Sequence, residues 1–363
     1  MKKSAFGRSS ITCSASLNSK NQFLIIDQPA FLLEIKKSAG LVFTLFIILG
    51  AVVSCNIKKR LVLWFNLRLG RILLAKVAFL GLGVMGYPMA GHLKAGGYNV
   101  TVYNRTAAKA DKWVAEHGGV KADTPADAAN GCDFVFACVG DDKDIASVTT
   151  GPDGAFKTMR ADAVFIDNTT ASADIARVLY DAARASGLHF IDAPVSGGQA
   201  GAEGGKLTVM CGGDAVAYDQ AKPLMSCYGA RVTHMGSAGA GQLTKMVNQI
   251  CIAGLVQGLS EALNFGQNAG LNMDKVLGVV SGGAAQSWQM ENRGSTMVKD
   301  EFDFGFAVDW MRKDLRICLA EAAANGSQLP VTALVAQFYA ALSERGYGRH
   351  DTSSLIRLLR NVT

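Results

Sequence analysis

The chain has 363 residues, 49% apolar and 18% charged, which supplies core for two ordinary domains and excludes a wholly disordered protein. Its formal charge of +6 sits at one end: residues 1–75 hold 11 Lys and Arg against 2 Asp and Glu, whereas 76–363 hold 25 against 28. The body is therefore mildly acidic and carries no basic stripe, which argues against nucleic acid as a partner. The 40 glycines against 7 prolines suggest many close backbone approaches, as in nucleotide-binding α/β folds. None of the 8 cysteines forms a C-x-x-C pair or a Cys/His cluster of zinc spacing, so no metal site is expected and a reduced, cytoplasmic setting is the natural reading.

The first 75 residues differ from the rest. Ser38 to Ile57 is a run of 20 uncharged residues, long enough to span a bilayer core, with Lys36-Lys37 before it and Lys58-Lys59-Arg60 after it. Basic residues on both sides give no orientation. Val52-Val53-Ser54-Cys55 resembles a lipoprotein processing box but lies too far along the chain for an ordinary signal peptide. Three readings stay open. The segment is an unrelated stretch added by an upstream start, with Leu74 as the true first residue; or it is a membrane anchor; or it is a cleaved targeting segment.

The globular pattern begins at Ala75-Lys76. Lys76–Leu80 is an apolar run of strand type, Gly81-Leu-Gly-Val-Met-Gly86 follows at once, and Tyr87–Lys94 reads as a helix with Pro88 in its first turn. This is G-x-G-x-x-G between strand and helix. Gly81 makes the turn, Gly83 lets a pyrophosphate approach the backbone, and Gly86 lets helix pack on strand, so Gly81, Leu82, Gly83, Val84, Met85 and Gly86 form a candidate cofactor loop. The helix N-terminus then faces the phosphates with free N–H groups. A second strand, Tyr98–Tyr103, ends in Asn104-Arg105-Thr106, where an NAD site would place Asp or Glu on the ribose 2′-hydroxyl. A guanidinium with neighbouring hydroxyl and amide suits a 2′-phosphate instead, so NADP(H) is expected to be preferred, with NAD(H) still possible. The plain alternative is that Arg105 is only a solvated loop residue.

Further strand-like runs are Asp133–Val139, Ala163–Asp167, Gly187–Asp192, Lys206–Cys211 and Arg231–Met235. Alternating with helical stretches, they predict a mainly parallel, doubly wound sheet. Ligands of such sheets lie at the carboxyl ends of strands, which places Val139, Gly140 and Thr169 there. Asp192–Leu207 contains Ser196-Gly197-Gly198, a hydroxyl with exposed N–H groups suited to a carboxylate; a simple glycine loop is the alternative. Gly239–Gln249 opens a helical pattern that continues to about Gly270, roughly 40 Å long. Lys245, Asn248 and Gln249 share one face of it. Burial would draw the Lys245 pKa towards neutrality, where an amine both gives and takes protons, whereas an isolated lysine would merely snorkel.

Four motifs together, Gly81–Gly86, Asp192–Gly198, Gly239–Lys245 with Asn248, and Lys313-Asp314, resemble the β-hydroxyacid dehydrogenases over residues 76–363. The resemblance implies an α/β fold of 6-phosphogluconate dehydrogenase type: a Rossmann-type domain at 76–238, an interdomain helix at 239–270 and an all-helical C-terminal domain at 271–363, with 1–75 as an extension outside the core. It implies a homodimer or homotetramer acting on a small carboxylate. Lys245 matches the family's catalytic lysine, Ser196, Gly197 and Gly198 its substrate-carboxylate loop, and Asn248 its substrate-orienting amide. Lys313, beside Asp314, matches a lysine that reaches the cofactor, and Thr169 a residue at the nicotinamide half. Some members carry a second Asn where this chain has Gln249. Gly346–Asp351 is similar to a segment that closes over the substrate.

The implied reaction passes a hydride between nicotinamide and the carbonyl of a semialdehyde or oxo acid, with Lys245 giving a proton to the developing alkoxide, and needs no metal. Two rivals differ in class or chemistry. A non-catalytic NADP-binding module, free or tethered through residues 38–57, would be expected to lose Lys245 or the Ser-Gly-Gly loop, and both are present. Imine reductases share the implied fold but typically lack a lysine at position 245.

Overall fold

The computed structural model describes residues 75–360 and two antiparallel dipeptides, Ser16–Leu17 and Leu24–Ile25. The chain divides into two compact units, Met1–Arg68 and Leu69–Thr363. The dipeptide pair is all that is described of the first unit, so the uncharged run 38–57 lies outside the described residues. Among the described residues no helix is long and apolar enough to cross a membrane.

In the second unit β1 (Lys76–Leu80), β2 (Asn99–Tyr103), β3 (Val120–Lys121), β4 (Phe134–Ala137), β5 (Val164–Asp167) and β6 (His189–Asp192) are mutually parallel. Their helical crossovers are α1 (Gly86–Ala95), α2 (Ala107–His117), α3 (Pro125–Ala129), α4 (Asp142–Thr150) and α5 (Ala173–Ala185). Beyond β6 come the short β7 (Val195–Ser196), α6 (Gly198–Glu203), β8 (Leu207–Gly213), α7 (Ala215–Met225) and β9 (Gly229–Gly236). The sheet runs β9-β8-β6-β5-β4-β1-β2-β3, with β7 against β8. Strand β8 is antiparallel to β6 and parallel to β9, so the last two strands reverse the direction of the other six.

Burial on both faces explains the near-continuous apolar strands. Along β1, Val77 and Phe79 enter one core with Met89, Trp113, Phe136 and Tyr228, while Ala78 and Leu80 enter the other with Val135, Ile145 and Phe165. The period of two sends alternate residues to opposite layers.

The rest is helical: α8 (Ala240–Asn268), α9 (Met273–Val280), α10 (Trp288–Lys299), α11 (Val308–Asn325), α12 (Pro330–Leu342), a wide π-type turn at Ser343–Tyr347 and a 3₁₀ segment at Thr352–Leu358. At 29 residues, α8 is about 43 Å long. Ala253 and Val256 on it pack with Val308, Met311 and Leu315 of α11 and Val335 and Tyr339 of α12; Leu259 and Leu263 pack with Met273 and Met297. This is a Rossmann-type sheet followed by a long helix and an all-α region.

Three local expectations need adjustment. The sequence predicts a last helix over Thr352–Arg360, which is 3₁₀ over Thr352–Leu358. The run after Ser196 winds into α6 rather than remaining loop. Helix α10, whose sequence buries only Gly294 and Met297, adds to the helices that the sequence predicts at Met273–Val280, Phe306–Asn325 and Val331–Arg345.

Candidate active site

Asp192 at the end of β6 meets the first turn of α8, Gln242 of α8 and Lys313 of α11 reach the loops after β4 and β5, and the other predicted site residues follow β1, β2 and β6. Gly81 has φ +96°, a left-handed conformation, and a Cβ there would overlap the Cys138 carbonyl. A Cβ on Gly86 would overlap the Gly81 carbonyl, so strand and helix touch through bare backbone. At Gly83 a Cβ would meet nothing within 4 Å, and Val84 beside it is exposed. Met85 stands at the N-cap of helix α1 and makes no side-chain capping bond, and the first turn carries no acid. An open glycine before an uncapped helix fits a pyrophosphate.

Asn104 braces this loop from behind. Its Oδ1 accepts from Leu82 N at 2.9 Å and its Nδ2 donates to Thr106 O at 3.0 Å, while Gly81 N donates to Tyr103 O at 2.8 Å. Thr106 precedes α2 and makes no side-chain capping bond. The Arg105 side chain is 85% exposed and 3.3 Å from Asp144 Oδ1.

Val139 and Gly140 follow β4, and Val139 N donates to Thr169 Oγ1 at 3.1 Å. Thr169 N donates to Oδ1 of the buried Asp167 at 2.9 Å, and Asp167 Oδ2 has no partner among the described residues. Burial pushes the Asp167 carboxyl up to about 7, against the pull of the Thr169 hydroxyl and N–H. From α8, Gln242 Nε2 donates to Thr169 O at 2.8 Å and its Oε1 accepts from Ala171 N at 3.1 Å. From α11, Lys313 Nζ donates to Gly140 O at 3.2 Å and to Thr170 O, and pairs with Asp314 Oδ1 at 3.1 Å. The two loops expected to face the nicotinamide half are thus held by helices from the second half of the chain.

Helix α8 has Gly239 at its N-cap and no acid in its first turn. The cap comes instead from Asp192 at the end of β6, which accepts from Gly239 N at 2.8 Å and Gln242 N at 2.9 Å; burial raises its carboxyl pKa, and these N–H groups pull it back down. A Cβ on Gly241 would overlap the Met210 carbonyl, so glycine permits the close seating. Asp192 therefore ties the start of the Ser196 loop to the helix bearing Lys245.

Lys245 is 7% exposed. Its ammonium has neither hydrogen bond nor ion pair among the described residues, and burial draws its pKa down to about 8, partly offset by Asp314, with Lys313 adding to the depression. One turn on, Asn248 Oδ1 accepts from Ser196 Oγ at 3.3 Å. Asn248 Nδ2 donates to Gln249 Oε1 at 2.8 Å, and Gln249 Nε2 donates to Asp314 Oδ2 at 2.7 Å. Gly197, with φ +134°, precedes Gly198, with φ +62°, at the start of α6.

The sequence reading did not single out Asp167 or Gln242, although both flank motifs that it used. The Gly346–Asp351 segment meets the helical region: the buried Asp351 accepts from Arg293 Nε at 3.2 Å and Phe306 N at 2.9 Å. Among the described residues no cluster of His, Cys, Asp and Glu forms a metal site.

A phosphate-fitting loop and a buried lysine in one chain are the parts of an NAD(P)-dependent oxidoreductase, the class that the comparisons also give. Residues 76–236 match the model of the NAD binding domain of 6-phosphogluconate dehydrogenase, and residues 239–359 the NAD-binding domain of NADP-dependent 3-hydroxyisobutyrate dehydrogenase. An uncharacterized oxidoreductase of Shewanella frigidimarina is 59% identical over 286 residues, covering 79% of this chain and 98% of the relative. A probable mitochondrial 3-hydroxyisobutyrate dehydrogenase-like protein of Arabidopsis thaliana is 40% identical over 288 residues, 79% of this chain and 86% of the relative. The solved 3-hydroxyisobutyrate dehydrogenase of Mycobacterium tuberculosis with L-serine superimposes at a TM-score of 0.72 and 28% identity, covering 79% of this chain and 99% of that one. The chain belongs to the β-hydroxyacid dehydrogenase family, as NAD(P)-dependent oxidoreductases acting on hydroxyacids.

Proposed function

We propose that the protein prefers NADP(H) and interconverts a short 3-hydroxy or 2-hydroxy carboxylic acid with its semialdehyde or oxo acid, with Lys245 as general acid and base. The observation that carries this reading is Lys245 itself: buried, without a hydrogen-bond or ion-pair partner among the described residues, and drawn to about 8 on the helix that also presents Asn248. An amine in that range holds a proton at neutral pH and releases it at small cost.

The bound cofactor supplies or takes the hydride. The loop from Gly81 through Leu82, Gly83, Val84 and Met85 to Gly86 would hold the pyrophosphate, with Arg105 and Thr106 at the 2′-phosphate and Asn104 keeping the turn in shape. Val139, Gly140, Thr169 and Lys313 would flank the nicotinamide half. Ser196 and the backbone of Gly197 and Gly198 would hold the substrate carboxylate, and Asn248 would orient the reacting carbon towards Lys245. In reduction the Lys245 ammonium gives its proton to the developing alkoxide; in oxidation the neutral amine takes the hydroxyl proton.

We also place 76–238, 239–270 and 271–363 as cofactor domain, interdomain helix and helical domain. The protein assembles as a homodimer or homotetramer, and exposed apolar side chains along α8 and α12, Val247, Leu255, Phe265, Val331 and Leu334, support that reading. The test of function is a panel of glyoxylate, succinic semialdehyde, tartronate semialdehyde and 3-hydroxyisobutyrate, each assayed with NADP(H) and NAD(H). Turnover of at least one, faster with the phosphorylated cofactor, is expected. No turnover on any would overturn the reading.

A further inference from the structure

A single polar chain leads from the cofactor loops to the substrate loop. Lys313 holds the Gly140 and Thr170 carbonyls and pairs with Asp314; Asp314 receives Gln249; Gln249 receives Asn248; Asn248 receives Ser196. Two of its members are side-chain amides, which keep nearly the same shape when oxygen and nitrogen exchange places, so their neighbours decide which way they face. The Asp314 carboxylate, 1% exposed and paired with Lys313, only accepts and therefore selects the NH₂ of Gln249. Gln249, itself 2% exposed and with Met311 Sδ 3.6 Å from the same Nε2, then has only Oε1 to offer Asn248. Asn248 must turn its NH₂ inward and leave Oδ1 towards Ser196.

We propose that Gln249 is a positioning residue, which passes the polarity set by the Lys313–Asp314 pair to Asn248 and so fixes the Ser196 hydroxyl in the substrate subsite. The inference rests on the substrate role given to Ser196 and Asn248 above. It gives Gln249 a task that its packing alone would not require, because a buried apolar residue of the same volume would fill the space without orienting either neighbour.

Two substitutions test it. Gln249→Leu keeps most of the volume and removes both bonds. Gln249→Glu keeps the shape and makes the bond to Asp314 depend on a proton: protonated, the introduced carboxyl accepts from Asn248 and donates to Asp314 as the amide does; ionised, it can still accept from Asn248 but has no hydrogen for Asp314, and repulsion from that second carboxylate pushes it out of line with Asn248. The charged groups around it are Asp314 and Lys313 on α11 and Lys245 on α8, with the Met311 sulfur as a further contact at 3.6 Å.

The full-length variants, loaded with NADPH and checked for unchanged cofactor affinity, are assayed with the most active compound of the panel. For Gln249→Leu, KM is expected to rise about tenfold, the scale of one hydrogen bond to a charged group, while kcat falls less. For Gln249→Glu, the ratio of variant to unmodified KM is expected to stay near one at pH 6 and to reach about tenfold at pH 9. An unchanged KM in Gln249→Leu, or equal ratios at both pH values in Gln249→Glu, overturns the proposal. If no panel compound reacts, the functional reading fails and the positioning claim is read separately. In NADPH-bound protein carrying ¹⁵N in its Asn and Gln side chains, the Asn248 NH₂ should exchange with water about tenfold faster in Gln249→Leu than in the unmodified chain. Equal exchange rates overturn the claim.

Discussion

Replacing Arg105 by Asp probes cofactor choice at the residue most exposed to argument. The guanidinium is 85% exposed and its only ion pair among the described residues, 3.3 Å to Asp144, is a surface pair that contributes at most about 1 kcal/mol. A 2′-phosphate can therefore displace Asp144 at little cost. A charge-assisted contact to that phosphate contributes about 1.5–3 kcal/mol, so Arg105→Asp should lower kcat/KM for NADPH roughly tenfold to a hundredfold. NADH, which lacks the phosphate, should lose little, and the introduced carboxylate can accept from ribose hydroxyls. Asp144→Asn acts in the opposite sense: by freeing Arg105 it should raise kcat/KM for NADPH by up to about fivefold. The assay is kcat/KM with each cofactor at low and high salt, since an exposed contact weakens as salt rises. Equal kinetics with both cofactors in the unmodified enzyme, or a variant that loses both equally, would refute the reasoning.

Three further outcomes follow from the same geometry. Asp192→Ala leaves the buried N–H groups of Gly239 and Gln242 unpaired, costing about 3 kcal/mol together, so Tm should drop by roughly 6–12 °C; an unchanged Tm contradicts Asp192 as the cap of α8. On the proposed mechanism reduction uses the Lys245 ammonium and oxidation the neutral amine, so kcat for reduction should fall as pH rises through about 8 while kcat for oxidation rises through the same value; two profiles moving in the same direction would rule this out. A chain shortened to begin at Lys76 behind an added Met should fold and turn over as the full chain does, since the matched family models start at residue 76; loss of folding or activity on shortening would refute it.

The parts of the molecule legible in the sequence are those fixed by local backbone demands. Gly81 and Gly86 are forced by a left-handed turn and by contact between strand and helix, so the motif and its surroundings are written within a dozen residues. Helix α8 is legible because Leu243, Met246, Val247, Ile250 and Leu255 recur at helical spacing, although Val247 and Leu255 face outward in the structure. The direction of β8 is not, because an apolar run buried on both faces reads the same in either sense. Helix α10 escapes because a helix that buries little shows little periodicity. The site's long-range ties are beyond local reading too. Asp192 meets α8 across 47 and 50 residues, and Gln249 meets Asp314 across 65, so Gln249 reads as a departure from a family pattern until its partner is seen. The Lys245 environment lies between: helical spacing puts it beside Asn248, but its burial comes from the fold around it.

The central claim is that Lys245 moves the proton, and kcat of Lys245→Ala, measured alongside titration of NADPH binding, tests it most directly. Removing a general acid should lower kcat by roughly 10²–10⁴, equivalent to about 3–5.5 kcal/mol of transition-state stabilisation. NADPH affinity should be retained, since the phosphate loop at Gly81–Gly86 and Arg105 lie on other elements. Lys245→Arg should fail as well, because a guanidinium keeps its proton near neutral pH. A Lys245→Ala enzyme that retains more than about a tenth of the turnover, under conditions where proton transfer limits the rate, would show that another group or a water molecule is the acid.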